Sequence, residues 1–276
     1  MNFIEVCAVS PDGSYVVSAT QDGIVKLWDP VSLRELRTLA RYEGRLHDCA
    51  VSPDGSFIVA GGDGESYRED GSPVSVGRVT IWDPASGEEL RSLGHANRVD
   101  ACAVSADGSY IVSAGHDMLS QSDRTDSSLK LWDPVTGEEL RTLGGGAQAC
   151  AVSPDGAYIV AAGSGNRLKL WDPATGEELR TLDGGGIDLI EDCAVSPDGA
   201  HIVSVGFDGL LRVWDAASGR QVALLPLPGR LPCVALHPSQ PLAACGDTLG
   251  AVNIVEFLAS TGPRRVDLDP AVTFAG

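Results

Sequence analysis

The sequence predicts an all-β fold made of six repeated units, each with four short antiparallel strands. Blocks of similar residues recur in the same order along almost the whole chain of 276 residues. The repeated segments are short and rich in Val, Ile, Tyr and Trp, and Asp-Gly or Asp-Pro pairs interrupt the chain about every ten residues, which favours strands and turns over helices. We therefore expect one domain, residues 1–276, rather than two.

The first block, Cys-Ala-Val-Ser-Pro-Asp-Gly, opens each unit. Its copies begin at Cys7, Cys49, Cys102, Cys150, Cys193 and, in degraded form, Cys233. The apolar residues predict a strand, and the Pro-Asp-Gly segment that ends the block is typical of a turn. Each copy thus marks the first strand of a unit and the turn after it.

The second and third blocks follow in phase with the first. The second is a short apolar strand that ends in a tryptophan, at Trp28, Trp82, Trp132, Trp171 and Trp214, with Val255 at the sixth position. The third block occupies residues 34–39, 88–93, 138–143 and 177–182, with looser copies at 220–225 and 264–269. In the first unit these blocks predict strands at 6–10, 15–19, 24–28 and 33–39.

The repeat period indicates how the units are arranged. It is about 40 residues, rising to about 54 where a unit carries an insertion, and a four-stranded propeller blade takes about 40–45 residues. A blade cannot bury both of its faces alone, so neighbouring blades must cover them. The predicted blades lie at about 4–39, 48–93, 100–143, 149–182, 192–225 and 232–269.

These blocks resemble the repeats of the WD-repeat family, which is named for the Trp-Asp pair that closes the third strand. The resemblance runs from Cys7 to about residue 269, and five of the six units carry both main blocks. It implies a six-bladed β-propeller, or a seven-bladed one only if the chain is incomplete. Residues 1–4 are too short to supply an outer strand, so the sequence leaves open how the ring closes.

The resemblance also implies a structural hydrogen-bonded set of His, Ser or Thr, Asp and Trp within a blade. The third unit fits best, with His95, Ser113, Asp126 and Trp132. A catalytic triad of His95, Ser113 and Asp126 is the alternative, but a network that satisfies buried polar groups explains the same residues. Trp28, Trp82, Trp171 and Trp214 are expected to pack between neighbouring blades.

The cysteines are expected to be small core residues. Equivalent positions in different blades are too far apart for a disulfide, and no C-x₂-C spacing suggests zinc. No catalytic or nucleotide-binding motif is present. We therefore expect no metal, no cofactor and no enzymatic activity.

Charge and composition narrow the classes of partner. The formal net charge is −18, from 38 acidic and 20 basic residues, and Lys and Arg form no run. Such a chain should repel nucleic acids and anionic membranes. The sequence has no secretory leader and no apolar run long enough to span a membrane, so a cytoplasmic protein with reduced thiols is expected.

In the family that the repeats resemble, the b–c and d–a loops lie on one face of the propeller. That face carries the variable residues here, because units two and three insert residues 63–77 and about 117–127 into their b–c loops. Variable loops on a rigid scaffold often carry recognition. The candidate partner-binding residues are Tyr42, Arg45, Tyr67, Arg68, Arg98 and Arg124.

The function predicted from these features is a non-enzymatic scaffold or sensor that binds a protein through the b–c and d–a loop face. Two alternatives remain open. One is a propeller whose central channel holds an enzyme site or a small ligand, and the other is a purely structural ring in a larger complex.

Overall fold

The computed structural model describes residues 4–42, 44–67, 73–95, 98–116, 128–144, 147–163, 167–185, 189–258 and 262–266. These residues form twenty-four strands and no helix, and the strands pair antiparallel in six sheets of four. We number the sheets as blades 1 to 6 in chain order and call the strands of each blade a to d. The predicted fold class is therefore confirmed.

Blades 1 and 2 contain β1 (Ile4–Val9), β2 (Val16–Thr20), β3 (Ile24–Trp28), β4 (Glu35–Arg41), β5 (Arg45–Val51), β6 (Ile58–Tyr67), β7 (Pro73–Trp82) and β8 (Glu89–His95). Blades 3 and 4 contain β9 (Arg98–Val104), β10 (Ile111–His116), β11 (Ser128–Trp132), β12 (Glu139–Gly144), β13 (Ala147–Val152), β14 (Ile159–Gly163), β15 (Arg167–Trp171) and β16 (Glu178–Asp183). Blades 5 and 6 contain β17 (Ile190–Val195), β18 (His201–Gly206), β19 (Leu210–Asp215), β20 (Gln221–Pro226), β21 (Cys233–Leu236), β22 (Leu242–Gly246), β23 (Val252–Leu258) and β24 (Gly262–Val266).

The turn between strands a and b shows why the first block repeats. In blade 1 the Asp12 carboxylate accepts hydrogen bonds from the Ser10 hydroxyl (2.8 Å) and the Ser14 backbone N–H (3.0 Å), while Gly13 adopts a φ of +71°. A positive φ is easy only for glycine. The hydrogen bonds lower the pKa of Asp12 to about 2. Blades 2 to 5 repeat this turn around Asp54, Asp107, Asp155 and Asp198.

The core lies between blades rather than inside them. Five apolar clusters are present, and each joins one blade to the next along the chain. In each cluster the b and c strands of one blade meet strands a and b of the following blade and the tryptophan of its strand c, which Val255 replaces in blade 6. Between blades 1 and 2, for example, Val25 and Leu27 share a cluster with Cys49 and Trp82. Backbone carbonyls on neighbouring blades add polar links, such as the Tyr158 hydroxyl donating to the oxygen of Gly199 at 2.9 Å.

Blade 6 corrects one detail of the sequence alignment. Val234, not Cys233, occupies the position of the cysteines in blades 2 to 5: it is buried against the preceding blade, and the turn that follows begins at His237 rather than one residue earlier. The repeated pattern Cys-Ala-Val-Ser-Pro therefore corresponds to residues 234–238. Cys233 itself is exposed. The alignment of blade 6 on Cys233 is therefore wrong by one residue, because a cysteine happens to lie next to the equivalent position.

The tryptophan at the end of strand c is anchored by a serine in strand b. The indole Nε1 of Trp132 donates to the Ser113 hydroxyl at 2.8 Å, and Trp28 and Trp214 make the same bond to Ser18 and Ser204. In blade 2 the equivalent strand position is Ala60. The buried Trp82 Nε1 accordingly has no hydrogen-bond acceptor among the described residues.

This difference gives a matched pair of stability predictions. Ser113→Ala should lower the free energy of unfolding by about 1–3 kcal/mol, because it leaves the Trp132 N–H buried without an acceptor. Ala60→Ser should raise it by about 1 kcal/mol, because it supplies the missing acceptor for Trp82. Urea denaturation of both variants measures the two changes. The two changes in the free energy of unfolding should have opposite signs. Loss of stability in both variants would contradict the role assigned to the serine hydroxyl.

Candidate interaction surface

Strands b and c of blade 2 extend beyond the end of their own sheet. Strand a (β5) pairs with strand b only as far as Arg45↔Asp63, and strand d (β8) pairs with strand c only as far as Gly77↔His95. Strands β6 and β7 continue for four further pairs, from Gly64↔Val76 to Tyr67↔Pro73. At about 3.4 Å per residue, this two-stranded extension reaches about 13 Å past the blade. Residues 63–77 were predicted to be a loop insertion, but much of this segment continues the two strands.

The base of this hairpin is held by strand a of the same blade and by the d–a connection that leads into it from blade 1. The Asp63 carboxylate accepts a hydrogen bond from the Arg45 backbone N–H at 3.1 Å and lies 3.5 Å from Nε2 of His47. Gly44 passes so close that a Cβ there would lie 1.7 Å from the Asp63 carbonyl oxygen. Only glycine fits this approach, so the connection and the hairpin form one locked corner.

Two arginines flank this corner. The Arg45 side chain is exposed, and Arg98 on the neighbouring blade is partly exposed with its Nε 2.7 Å from an Asp100 carboxylate oxygen. Burial together with the positive charge of nearby Arg98 lowers the pKa of the His47 imidazole. The corner thus holds two guanidinium groups and two carboxylates: Arg98 is paired with Asp100, Asp63 faces His47, and Arg45 is the exposed cation.

Tyr42 does not belong to the exposed surface. Its side chain is only 5% exposed in the core cluster between blades 1 and 2, and its hydroxyl donates to the carbonyl oxygen of Arg78 at 3.2 Å. Burial raises the pKa of the Tyr42 hydroxyl well above its usual value. Tyr42 therefore packs the interface between blades 1 and 2 and is not accessible to a partner.

The other predicted residues are placed only in part. The Tyr67 backbone lies in strand β6, opposite Pro73, whereas Arg68, Arg124 and Asp126 fall outside the described residues. His95 is buried, with its ring centroid 6.5 Å from that of Trp132, next to the Trp132–Ser113 hydrogen bond. A packed ring beside an indole fits the structural role that the resemblance implies for His95.

The same face carries a cluster on blade 5 that the sequence analysis missed. The guanidinium carbon of Arg230 lies 3.2 Å from the ring centroid of Phe207, and its Nη2 is 2.9 Å from a Glu191 carboxylate oxygen. Phe207 is 39% exposed. The unusual d–a segment of this blade, residues 227–230, was the available signal, because no other unit has a similar sequence there.

Two half-buried aspartates lie on strand a of blades 2 and 5. Asp48 accepts hydrogen bonds from the backbone N–H of Cys49 (2.8 Å) and of Cys102 on the next blade (2.7 Å). Asp192 makes the equivalent bonds to Cys193 and Val234. Burial is the main cause that raises the pKa of Asp48 to about 7 and that of Asp192 to about 6. Each carboxylate therefore bridges two blades at an energetic cost when it is ionised.

The cysteine thiols of the inner strands are not suited to nucleophilic or redox chemistry. Burial raises the pKa of the Cys49, Cys102, Cys150 and Cys193 thiols well above the ordinary value, so they are not reactive thiolates at neutral pH. Across the described ranges, His, Cys, Asp and Glu side chains form no group of three suited to a metal ion. The same ranges contain no helix able to cross a membrane.

Family comparison agrees with this architecture. The model named WD domain, G-beta repeat matches residues 2–29, 33–65, 87–133, 137–172 and 176–215, which together make up more than half of the chain. The chain belongs to the WD40-repeat family. Each of the later WD40 matches begins at the outer strand of one blade and continues into the next blade. Blade 6 lies outside these matches, in keeping with its degraded sequence.

Individual relatives are more distant. The chain is 28% identical over 128 residues to protein hir1 of Emericella nidulans. This alignment covers 40% of this chain and 12% of that protein. Over 143 residues the chain is 26% identical to protein hir1 of Aspergillus terreus, covering 40% and 14% respectively. The chain thus spans a small part of these relatives. WD40 repeats generally serve as scaffolds for protein–protein interaction, and the family is generally non-enzymatic.

The two bridging carboxylates predict how stability depends on pH. In the unfolded chain both should titrate near the ordinary value of 3.8, whereas in the folded chain their pKa values are about 7 and about 6. Between these limits the folded state binds more protons, so the free energy of unfolding should fall as pH rises from about 4 to about 7. The double variant Asp48→Asn, Asp192→Asn should show a flatter profile in this window.

Chemical denaturation at several pH values measures this slope, whatever the variant's absolute stability. Asp12→Asn is the control, because the pKa of Asp12 is lowered to about 2: its removal should lower stability by a constant amount above about pH 4 and change the pH slope only below that value. A double variant that keeps the full slope of the parent protein would contradict the assignment.

Proposed function

We propose that this WD40 propeller binds a protein partner through the face formed by the b–c and d–a loops, with the blade 2 hairpin as its main contact. The observation that carries the proposal is the extension of β6 and β7 past their sheet. A two-stranded ribbon on its own is only marginally stable in water. A projecting ribbon of this kind gains stability when another surface covers it.

The hairpin offers a specific means of recognition. Within the described residues, positions 64–67 and 73–76 pair only with each other, so the outer edge of each strand presents backbone N–H and C=O groups. An extended peptide can add to such an edge as a further strand. The resulting main-chain hydrogen bonds give affinity, while neighbouring side chains give specificity.

The exposed Arg45 at the base of the hairpin favours an acidic residue in the partner segment. Arg45 is exposed and Arg98 partly so, in a chain whose net charge is −18. The opposite face carries the acidic c–d segments that include the exposed Glu138 and Glu177. Repulsion would therefore disfavour an acidic segment at the other face, whereas Arg45 can pair with one at the hairpin corner.

Shortening the hairpin tests this function. Replacing residues 64–76 by Asn-Gly joins Asp63 to Gly77 by a two-residue turn that suits an antiparallel pair, so the blade itself should remain intact. Partners captured from the native host by the parent protein should be recovered at least about tenfold less with this variant and with Arg45→Glu, Arg98→Glu. Quantitative mass spectrometry provides the measurement.

The matched control carries the same number of charge reversals on the opposite face, as Glu138→Lys, Glu177→Lys. It should capture the same partners as the parent protein. Equal recovery by the shortened variant, or a loss confined to the Glu138→Lys, Glu177→Lys control, would show that the binding face lies elsewhere.

A further inference from the structure

Among the described residues, one face of blade 1 has no neighbouring blade. In strand a, Cys7 is exposed and Val9 is 61% exposed, whereas the equivalent cysteines Cys49, Cys102 and Cys193 are at most 6% exposed. The tryptophan on the same side behaves likewise. Trp28 is only partly buried, while the other four tryptophans are at most 7% exposed in the clusters between blades.

Blade 6 leaves the opposite face uncovered. Val252 stands three residues before Val255, which occupies the tryptophan position of this blade, and it is 61% exposed. The residues at the same position in the other five blades are all completely buried, namely Val25, Val79, Leu129, Leu168 and Leu211. Cys233 and Ala235 in strand a of blade 6 are exposed too, although their counterparts in blades 1 to 5 are buried or half-buried.

The two bare faces are complementary in kind. In every existing interface, the face that blade 6 leaves open packs against the face that blade 1 leaves open, as Val25 of blade 1 does against Trp82 of blade 2. Among the described residues, none of the five apolar clusters joins blade 6 to blade 1. The row of blades nevertheless curves back on itself, because Asp192 of blade 5 is near enough to Asp48 of blade 2 for its charge to raise the pKa of Asp48.

From these faces we infer that the opening between blade 6 and blade 1 receives a seventh four-stranded blade donated by a partner polypeptide. Only a unit with both types of face covers Cys7 and Trp28 on one side and Val252 and Ala235 on the other, and a blade is such a unit. Seven blades lie within the usual range for closed propellers. Closure would remove apolar surface from water on both sides.

A second copy of this chain is the less suitable occupant. Two copies each carry a net charge of −18 and repel one another. Joining blade 6 of one copy to blade 1 of another is a head-to-tail contact, which generates larger rings or filaments rather than a closed pair. A single donated blade satisfies both faces without either consequence.

Thiol modification tests the inference, because two native cysteines border the opening. In the full chain at low concentration, a maleimide should modify Cys7 and Cys233 quickly and the buried Cys49, Cys102, Cys193 and Cys245 slowly. Peptide mapping distinguishes the sites, and light scattering gives the mass of the particle. Protection of Cys7 and Cys233 in the free monomer, or protection that accompanies self-association, would overturn the inference.

The occupant is tested with a blade of known sequence as the probe. A copy of residues 147–183, with Cys150→Ala so that it adds no thiol, is fused after Gly276 through a Gly-Ser linker, which replaces the partner by a tethered blade at high effective concentration. Modification of Cys7 and Cys233 should slow at least about tenfold as both become buried. The midpoint of thermal unfolding should rise.

The matched control carries Ile159→Asp and Leu168→Asp in the added copy, which places one charge on each of its packing faces. This fusion should label like the parent chain. A second fusion with residues 190–226 and Cys193→Ala guards against failure of one particular blade. Unchanged labelling of Cys7 and Cys233 in both apolar fusions, or equal protection by the charged control, would overturn the proposal.

Discussion

Packing between blades is the interaction on which the rest of this structure depends. In the ranges that the structure describes, no blade contains a core of its own, since the buried apolar residues gather in five clusters that each need two consecutive blades. The repeated sequence blocks are explained by this requirement: a small residue on strand a, paired aliphatic residues on strands b and c, and a tryptophan that fills the space to the preceding blade. The exposed turns then need only hold the strands in register, which the Asp-centred hydrogen bonds achieve.

The same requirement separates framework from variation. Positions that face another blade are constrained in volume and polarity, as the Trp132–Ser113 pair and the bridging carboxylate of Asp48 illustrate. Positions at the b–c and d–a ends are free of it, and there the blades differ most. The hairpin of blade 2 and the Phe207–Arg230 cluster of blade 5 both occur on that face. A framework of closely packed blades that carries variable loops is the arrangement expected of a recognition scaffold.

Much of the fold could be predicted because its signals are local. The Pro-Asp-Gly turns and the Trp-Asp pairs located the strands, and their period gave the number of blades. What failed was information that depends on distant partners. Tyr42 looked like a surface anchor, but its burial depends on strands of two blades. Residues 63–77 lacked the repeated blocks, so their continuation as paired strands was not visible. The exposure of Val252 could not be foreseen, because the sequence pattern of blade 6 does not show what lies beside it.

Amide hydrogen exchange of the full chain, followed blade by blade, tests most directly whether packing between blades carries the stability. Blades 2 to 5 are covered on both faces, while blades 1 and 6 each have one bare face, so protection of strands b and c should be highest in blades 2 to 5 and lowest in blades 1 and 6. Uniform protection across all six blades, or maximal protection in blades 1 and 6, would contradict the account.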